Sequence, residues 1–289
     1  MKKFSIPGYF HYFNLVKNLL NYRYENPEKF YEDRIIDSSY DLPGGIIWNG
    51  GRVKFSTGYS PYELDDIMDY YFNETDIKLA HTCTNLHIDS AMAQDWMGNW
   101  FLNQYYRDQD YVIIASPDLH IHLMELFPNM NFVFSTTVGV TNIEKVNEIS
   151  SHILFVVDYN RNNNNEYLKA LTHPENIEII CAEPCQFNCP NRRTHYEELS
   201  DEQLFVIDWK NDHFAQCAFG VEARSFREIQ QLPHAITNER VDELSKMGIN
   251  HFKISGRTIS NIQWIETMTY YLVKPEYLDE VQQHLILEL

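Results

Sequence analysis

The chain has 289 residues, of which 44% are hydrophobic and 14% aromatic, so it holds enough apolar material for a sizeable core. Its formal net charge of −18 repels phosphate backbones. This charge excludes DNA as an expected partner and allows RNA only through a locally basic surface. No stretch is long and apolar enough to predict a membrane span.

The amino-terminal segment, about residues 1–33, is predicted to be a helical extension of a single domain that occupies residues 1–289. It begins with Lys2 and Lys3, but polar residues interrupt the stretch after them, so it does not have the pattern of a cleavable signal. Without such a signal we expect a cytoplasmic protein. Its five cysteines are then expected to be reduced thiols rather than disulfides.

Short apolar runs alternate with longer helical patterns along the chain. The runs are apolar on both faces, as buried parallel strands are. The predicted strands, in chain order, are Arg34 to Ser38 or Gly45 to Trp48, Ile77 to Thr82, Tyr111 to Ala115, Phe132 to Ser135, Ile153 to Asp158, Ile177 to Cys181, Leu204 to Ile207, and His251 to Ile254. The predicted helices are Pro61 to Asn73, Pro117 to Phe127, Asn142 to Ser150, Asn238 to Met247, and Ile259 to Val273.

About eight strand–helix units in one chain predict an α/β fold of the (β/α)8 type, a TIM-like barrel. The unit at Leu204 to Ile207 has the weakest pattern, so we allow for an irregular or incomplete barrel. A doubly wound open sheet is the alternative. In a barrel the active site lies at the carboxyl ends of the strands, where Asp158 and Glu183 are candidates for general acid or base by position alone.

Basic and amide side chains near these ends are candidates for substrate binding. The sequence WNGGR offers Asn49 and Arg52 beside two glycines, which let a backbone approach a ligand closely. The sequence KISGR supplies Lys253 and Arg257 where the last strand ends. A third basic group comes after the sixth strand and consists of Arg192, Arg193 and His195. Each of these groups also has a plain alternative, as a surface turn or as ion pairs in an acidic protein.

The sequence CAEPCQFNCPNRR places three thiols in nine residues at the end of the sixth strand. Thiolates suit iron–sulfur clusters and zinc. Cys185 and Cys189 are the central candidates, with Cys217 as a further ligand and Cys181 either a ligand or a buried core thiol. Zinc is the alternative metal, with His195 or His213 completing the site. Unliganded cysteines remain an equally supported interpretation, because the spacing matches no standard metal motif.

Three stretches resemble the collagenase-like peptidase family, peptidase family U32. HFKISGR is similar to the Lys-Ile-Glu-Gly-Arg sequence of that family, with Ser255 in place of the acid. SPDLHIHLMELFPNMNFVFSTT resembles the family's third and fourth units, and AEPCQFNCPNRRTHY resembles its cysteine region. The similarity extends from about Ile35 to Leu272 at low identity and is greatest to an uncharacterised branch.

The resemblance implies a TIM-like barrel, and it suggests more than one activity. Several members are oxygen-independent hydroxylases of RNA bases or aromatic precursors, and some bind a 4Fe–4S cluster through four cysteines. Carried over, Cys185, Cys189 and Cys217 become ligands, with Cys181 as the fourth. The leading hypothesis is therefore an iron–sulfur enzyme acting on a small molecule or an RNA base. A non-catalytic or zinc-binding barrel that binds a partner protein is the alternative, and a peptidase rests on the family label alone.

Overall fold

The computed structural model describes residues 1–50, 60–204, 224–256 and 259–289. Its centre is a closed barrel of eight parallel strands in sequential order, so the predicted (β/α)8 fold is confirmed. The strands are β1 (Lys2–Pro7), β2 (Arg34–Asp41), β3 (Lys78–Cys83), β4 (Tyr111–Ile114), β5 (Asn131–Phe134), β6 (Leu154–Val156), β7 (Ile177–Cys181) and β8 (His251–Ile254).

The first strand lies where the sequence predicted a helical extension. Strand β1 pairs with β2 on one side and with β8 on the other, so it closes the barrel. The expectation for residues 1–33 is thus corrected, because Lys2–Pro7 belongs to the barrel itself. Its short pattern, KKFSIP, begins with two lysines and does not stand out as a buried strand.

The pairing of the strands bears on two further strand predictions. Strand β7 pairs directly with β8, so no strand at Leu204–Ile207 lies between them, and Leu204 instead caps a helix. Residues 205–207 lie outside the described residues. Of the two places predicted for an early strand, Arg34 begins β2, whereas Gly45 to Trp48 forms turns.

Helices follow most strands and cover the outside of the barrel. They are α1 (Phe13–Glu25), α2 (Pro61–Asn73), α3 (Trp96–Tyr105), α4 (Pro117–Leu126), α5 (Ile143–Ser150), α6 (Asn165–Lys169), α7 (Arg192–Gln203), α8 (Phe226–Ile229), α9 (Asn238–Lys246), α10 (Asn261–Leu272) and α11 (Leu278–Leu287). Helix α2 shows how the sequence sets a boundary. Ser60 and Glu63 form a capping box, and Pro61 occupies the first turn.

The core has two parts. A large apolar cluster lies between the strands and the helices, and the side chains of Leu79, Phe155 and Phe252 belong to it. A smaller cluster fills the upper interior of the barrel and contains Tyr40, Ala80, Ile113, Val133, Val156, Tyr159, Ile180 and Cys185. Among the described helices, none combines the length and the apolar character that crossing a bilayer requires.

Charged side chains occupy the opposite, amino-terminal end of the barrel interior. Glu178 is almost fully buried there, and this burial raises the pKa of its carboxyl group, while the charge of Lys253 opposes the rise. Lys78 forms an ion pair with Asp37 at 3.0 Å. A cavity of about 10 Å³ lies among these groups, which is about the space of one water molecule.

His81 is a buried imidazole on the outer face of β3. A hydrogen bond of 2.8 Å joins its Nδ1 to the hydroxyl of Tyr9, and its ring meets that of Phe101 edge to face. Burial is the main cause that lowers the pKa of His81 from 6.5 to about 4. The folded protein therefore keeps this imidazole neutral at a pH where the unfolded chain binds a proton.

We predict a loss of stability from this group as pH falls from 6.5 to 4, with no effect above 6.5, because only the unfolded state is protonated in that window. A pKa unit corresponds to about 1.4 kcal/mol, so His81 accounts for roughly 3 kcal/mol at most. Urea unfolding of the His81→Phe variant should show a shallower fall over this range. The exposed His152 provides the control variant His152→Gln, and an identical pH slope in all three proteins would contradict the prediction.

Candidate active site at the barrel mouth

Two bonded pairs of polar side chains lie at the carboxyl ends of β6, β7 and β8, namely Asp158 with Arg192 and Glu183 with Ser255. Asp158 follows β6, Glu183 follows β7, Ser255 follows β8, and Arg192 reaches over from the first turn of α7. We call Asp158, Glu183, Arg192 and Ser255 the mouth site. It lies above the apolar cluster that fills the upper barrel, at the end where barrel enzymes hold their active sites.

Glu183 is the best-anchored carboxylate of the mouth site, and only 6% of it is exposed. One carboxylate oxygen accepts a hydrogen bond from the backbone N–H of Cys185 at 3.1 Å, and the other accepts one from the hydroxyl of Ser255 at 3.1 Å. The preceding residue, Ala182, has a φ of 56°. A non-glycine residue in this left-handed region is strained, and such strain concentrates at functional sites.

The hydroxyl of Ser255 lies where the resembling family has an acid. This hydroxyl donates to a carboxylate oxygen of Glu183, so an acid in place of Ser255 would put a second carboxylate beside Glu183. Two adjacent carboxylates would compete for one proton, and one of them would have a strongly raised pKa. The serine hydroxyl donates a hydrogen bond to Glu183 without adding a second negative charge.

Asp158 and Arg192 form the second part of the mouth site. The guanidinium donates to the Asp158 carboxylate at 2.5 Å and to the hydroxyl of Thr136 at 2.9 Å. It also lies 4.3 Å from the centre of the Tyr159 ring. Burial alone would lower the pKa of Arg192, but Tyr196, Asp158 and Tyr159 raise it, so the charge is retained. Asp158 also caps the short helical turn after β6, through the backbone N–H of Asn160.

Lys253 reaches into the barrel beneath the mouth site. Its ammonium lies 4.1 Å from the centre of the Tyr40 ring, and the Tyr40 hydroxyl donates to the carbonyl of Ile254. Its positive charge also opposes the rise in the pKa of Glu178, which lies nearer the amino-terminal end of the barrel. The lysine that the sequence singled out is thus an interior cation between the two ends of the barrel.

Asn49 lies beside the end of β3, with 2% of its surface exposed. Its side-chain oxygen accepts a hydrogen bond from Thr82 at 3.3 Å. The next residue, Gly50, is packed so closely that a methyl group there would come within 2.3 Å of the Thr84 backbone. The close backbone approach expected from the glycines therefore occurs, but at Gly50 it is made to the end of β3.

The remaining basic candidates are divided between the surface and segments outside the described residues. Arg193 is exposed and forms an ion pair with Glu197, one turn further along α7. His195 is half-buried on the same helix. Arg52, Arg257, Cys217 and His213 lie outside the described residues, so their proposed roles remain predictions.

The cysteines divide between the two parts of the core. Cys181 belongs to the outer cluster between strands and helices, whereas Cys185 belongs to the inner cluster and Cys189 packs against it. Burial raises the pKa of the Cys181 thiol, which disfavours the thiolate that a metal needs. The described residues contain no group of three or more histidine, cysteine or acidic side chains arranged to hold a metal ion. They therefore do not fit a cluster held by four cysteines that include Cys181.

His234 is a mouth residue that the sequence did not reveal. It is 1% exposed, its Nε2 donates to the carbonyl of Glu183 at 2.9 Å, and its ring lies 4.7 Å from that of Tyr159. Burial lowers its pKa, so the imidazole is neutral at pH 7. It lies in a loop 51 residues beyond Glu183, and no local pattern links the two.

Comparison with known proteins supports the fold. No family model matches the chain, and no curated protein matches it either. A solved structure described as the U32 peptidase Mk0906 is similar over 90% of this chain and 93% of that chain, with 14% identity and a TM-score of 0.55. The resemblance to peptidase family U32 is thus confirmed at the level of the barrel fold.

The separation of the thiols gives a prediction for metal content. We expect the Cys181→Ser variant to keep the iron and zinc content of the wild-type protein, because its sulfur lies in the outer core. It should also unfold at a lower temperature, since a buried hydroxyl without a partner costs about 1–3 kcal/mol.

The matched variant is Cys185→Ser, which should lose any metal that the wild type holds. Elemental analysis of protein purified without oxygen measures both variants. Loss of metal from Cys181→Ser would contradict the placement of this thiol. A wild-type protein that holds neither metal after reconstitution would remove the metal prediction for Cys185 and Cys189.

Proposed function

We propose that this protein is an enzyme that binds a small planar substrate at the barrel mouth and removes a proton from it with Glu183. The observation that carries the proposal is the position of this carboxylate. It is buried, fixed by two hydrogen-bond donors, and placed above an apolar cluster at the carboxyl ends of the strands. A carboxylate so confined is preorganised to accept a proton from a substrate O–H or N–H group.

The surroundings of Glu183 favour a planar, partly apolar substrate. The cluster below the mouth site includes the rings of Tyr40 and Tyr159 and several branched aliphatic side chains. Binding sites commonly combine such an apolar floor with a few polar groups that fix orientation. Phenols and nucleobases meet both conditions, because each has a flat ring and an acidic O–H or N–H. This is the substrate class expected from the family resemblance.

The charges of the mouth site suggest how the substrate would be oriented. Arg192 is neutralised by Asp158, so it offers shape and hydrogen bonds more than net charge. Lys253 is a cation of the barrel interior and would favour the anion that forms when Glu183 takes the proton. In this scheme the proton moves to Glu183, and the negative charge left on the substrate is stabilised by the field of Lys253.

An iron–sulfur form of this enzyme would add redox chemistry to the same mouth. A cluster there would draw on Cys185, Cys189 and Cys217, and it would need a fourth ligand other than Cys181. The proton-transfer proposal does not depend on that group. Metal analysis therefore tests the cluster, and ligand binding tests proton transfer by Glu183.

A peptidase is the second candidate, and the name of the similar structure is the observation that favours it. In this chain Glu183 would then act as general base for water, with Ser255 as its neutral partner. Gelatin hydrolysis by the wild-type protein that is lost in Glu183→Gln would support this candidate over the first.

The first proposal is tested by binding of two probes, 4-hydroxybenzoate and uridine, measured by saturation-transfer NMR and calorimetry. We expect at least one probe to bind with a Kd of about 1 mM or tighter. Glu183→Gln should weaken that binding by about tenfold, because a hydrogen bond to a charged acceptor contributes roughly 1.5–3 kcal/mol.

The control variant is Glu144→Gln, which changes an exposed carboxylate on α5 and should leave both affinities unchanged. The proposal would be contradicted if neither probe bound the wild-type protein. Equal binding by the wild type and Glu183→Gln would also contradict it. Circular dichroism of each variant shows whether the barrel is intact.

A further inference from the structure

A second concave surface lies at the end of the barrel opposite the mouth site. It is a groove of about 990 Å³ between the last turns of α1 and α2, beside the segment that enters β3. We call it the basal groove. Its lining includes Lys17, Tyr24, Asp69, Tyr70, Glu74 and Asp76.

Aromatic rings form part of the groove wall, and one of them already attracts a cation. The ammonium of Lys17 lies 5.0 Å from the centre of the Tyr70 ring, within the range of a cation–π contact. Tyr24 is 88% exposed, and among the described residues no cation lies over its ring. Beside the groove, this ring offers an open flat face on which a planar cation can stack.

Carboxylates form the rim of the groove. Asp69, Glu74 and Asp76 are all exposed, and within the described parts of the chain none of them forms a salt bridge or a side-chain hydrogen bond. Helix α2 also ends here without a basic residue in its last turn. The partial negative charge of the helix end therefore adds to that of the three carboxylates.

We propose that the basal groove binds an arginine-bearing segment of a basic partner protein. A guanidinium can stack on Tyr24 while it donates paired hydrogen bonds to carboxylates on the rim. The groove thus offers both features that arginine recognition uses. Three carboxylates against the single ammonium of Lys17 leave the lining with an excess of negative charge.

The net negative charge of the chain favours one kind of ligand for the basal groove over the others. A second copy carries the same formal net charge of −18, so its surface is repelled, and a nucleic acid has the same sign. The groove residues form no group of three acidic, cysteine or histidine side chains close enough to hold a metal ion, within the residues described. A basic polypeptide is the partner that matches both the charge and the aromatic wall.

The basal groove is independent of the function proposed for the mouth. The two sites lie at opposite ends of the barrel, and the described lining of the groove contains no residue of the mouth site. Variants of the groove therefore leave Glu183 and its partners unchanged.

The probe is a fluorescein-labelled Gly-Arg-Gly-Arg-Gly-Arg peptide, and its binding to the full chain is measured by fluorescence anisotropy. Salt of about 150 mM limits interactions between distant surface charges. We expect saturable binding with a Kd below about 1 mM. Neutralising the rim should weaken binding about tenfold or more, and Tyr24→Ala several-fold. The rim variant combines Asp69→Asn, Glu74→Gln and Asp76→Asn.

The control variant removes the same charge from other exposed sites, on α4 and α5, and should change the affinity by less than about twofold. It combines Asp118→Asn, Glu125→Gln and Glu144→Gln. Equal weakening by the rim and control variants would show a general attraction to an acidic surface and would overturn the proposal. Failure of the peptide to bind the wild-type protein, or full affinity in Tyr24→Ala, would also overturn it.

Discussion

Closure of the barrel by β1 is the constraint on which the rest of the structure depends. This strand pairs with β2 and β8, so the eight strands form one continuous cylinder with no free edge. Within this cylinder β7 pairs with both β6 and β8, and the residues after these three strands lie around one opening. Glu183 therefore reaches Ser255, and Asp158 reaches Arg192, although the members of each pair are far apart in the sequence.

The barrel buries several charged side chains, and each of them has a nearby group that stabilises its charge. Lys253 opposes the burial of Glu178 at the base, and Arg192 pairs with Asp158 at the mouth. At Glu183, the backbone N–H of Cys185 and the hydroxyl of Ser255 donate to the two carboxylate oxygens. Such groups are expensive to bury, and their concentration in one barrel is typical of a site selected for chemistry. Of these carboxylates, Glu183 has the position and the partners that suit proton transfer.

Much of the fold could be predicted from the sequence because the strand runs from Ile77 onward are apolar and bounded by helix caps. The first strand could not, since KKFSIP combines polar and apolar residues and gains its stability from neighbours on both sides. The predicted strand at Leu204 to Ile207 lies outside the described residues except for Leu204. Leu204 is apolar, but it belongs to the end of α7, and β8 already occupies the edge of β7.

The candidate site was predictable where its residues come directly after strand ends, as Asp158 and Glu183 do. The division of the cysteines follows from strand geometry, because alternate side chains of β7 face opposite sides and Cys181 takes the outer one. His234 had no such signal. Its contact with Glu183 depends on how the loop before α9 folds over β7, which is set by tertiary packing.

The central claim is that the mouth above Tyr159 and Glu183 receives a planar ligand. The most direct measurement is anomalous diffraction from crystals grown with 4-bromobenzoate, because the bromine marks the ring without assumptions about activity. We predict a bromine peak at the carboxyl ends of β6 to β8, above the apolar cluster of the upper barrel. A peak only at other surfaces, or none at a concentration well above the Kd, would contradict the account.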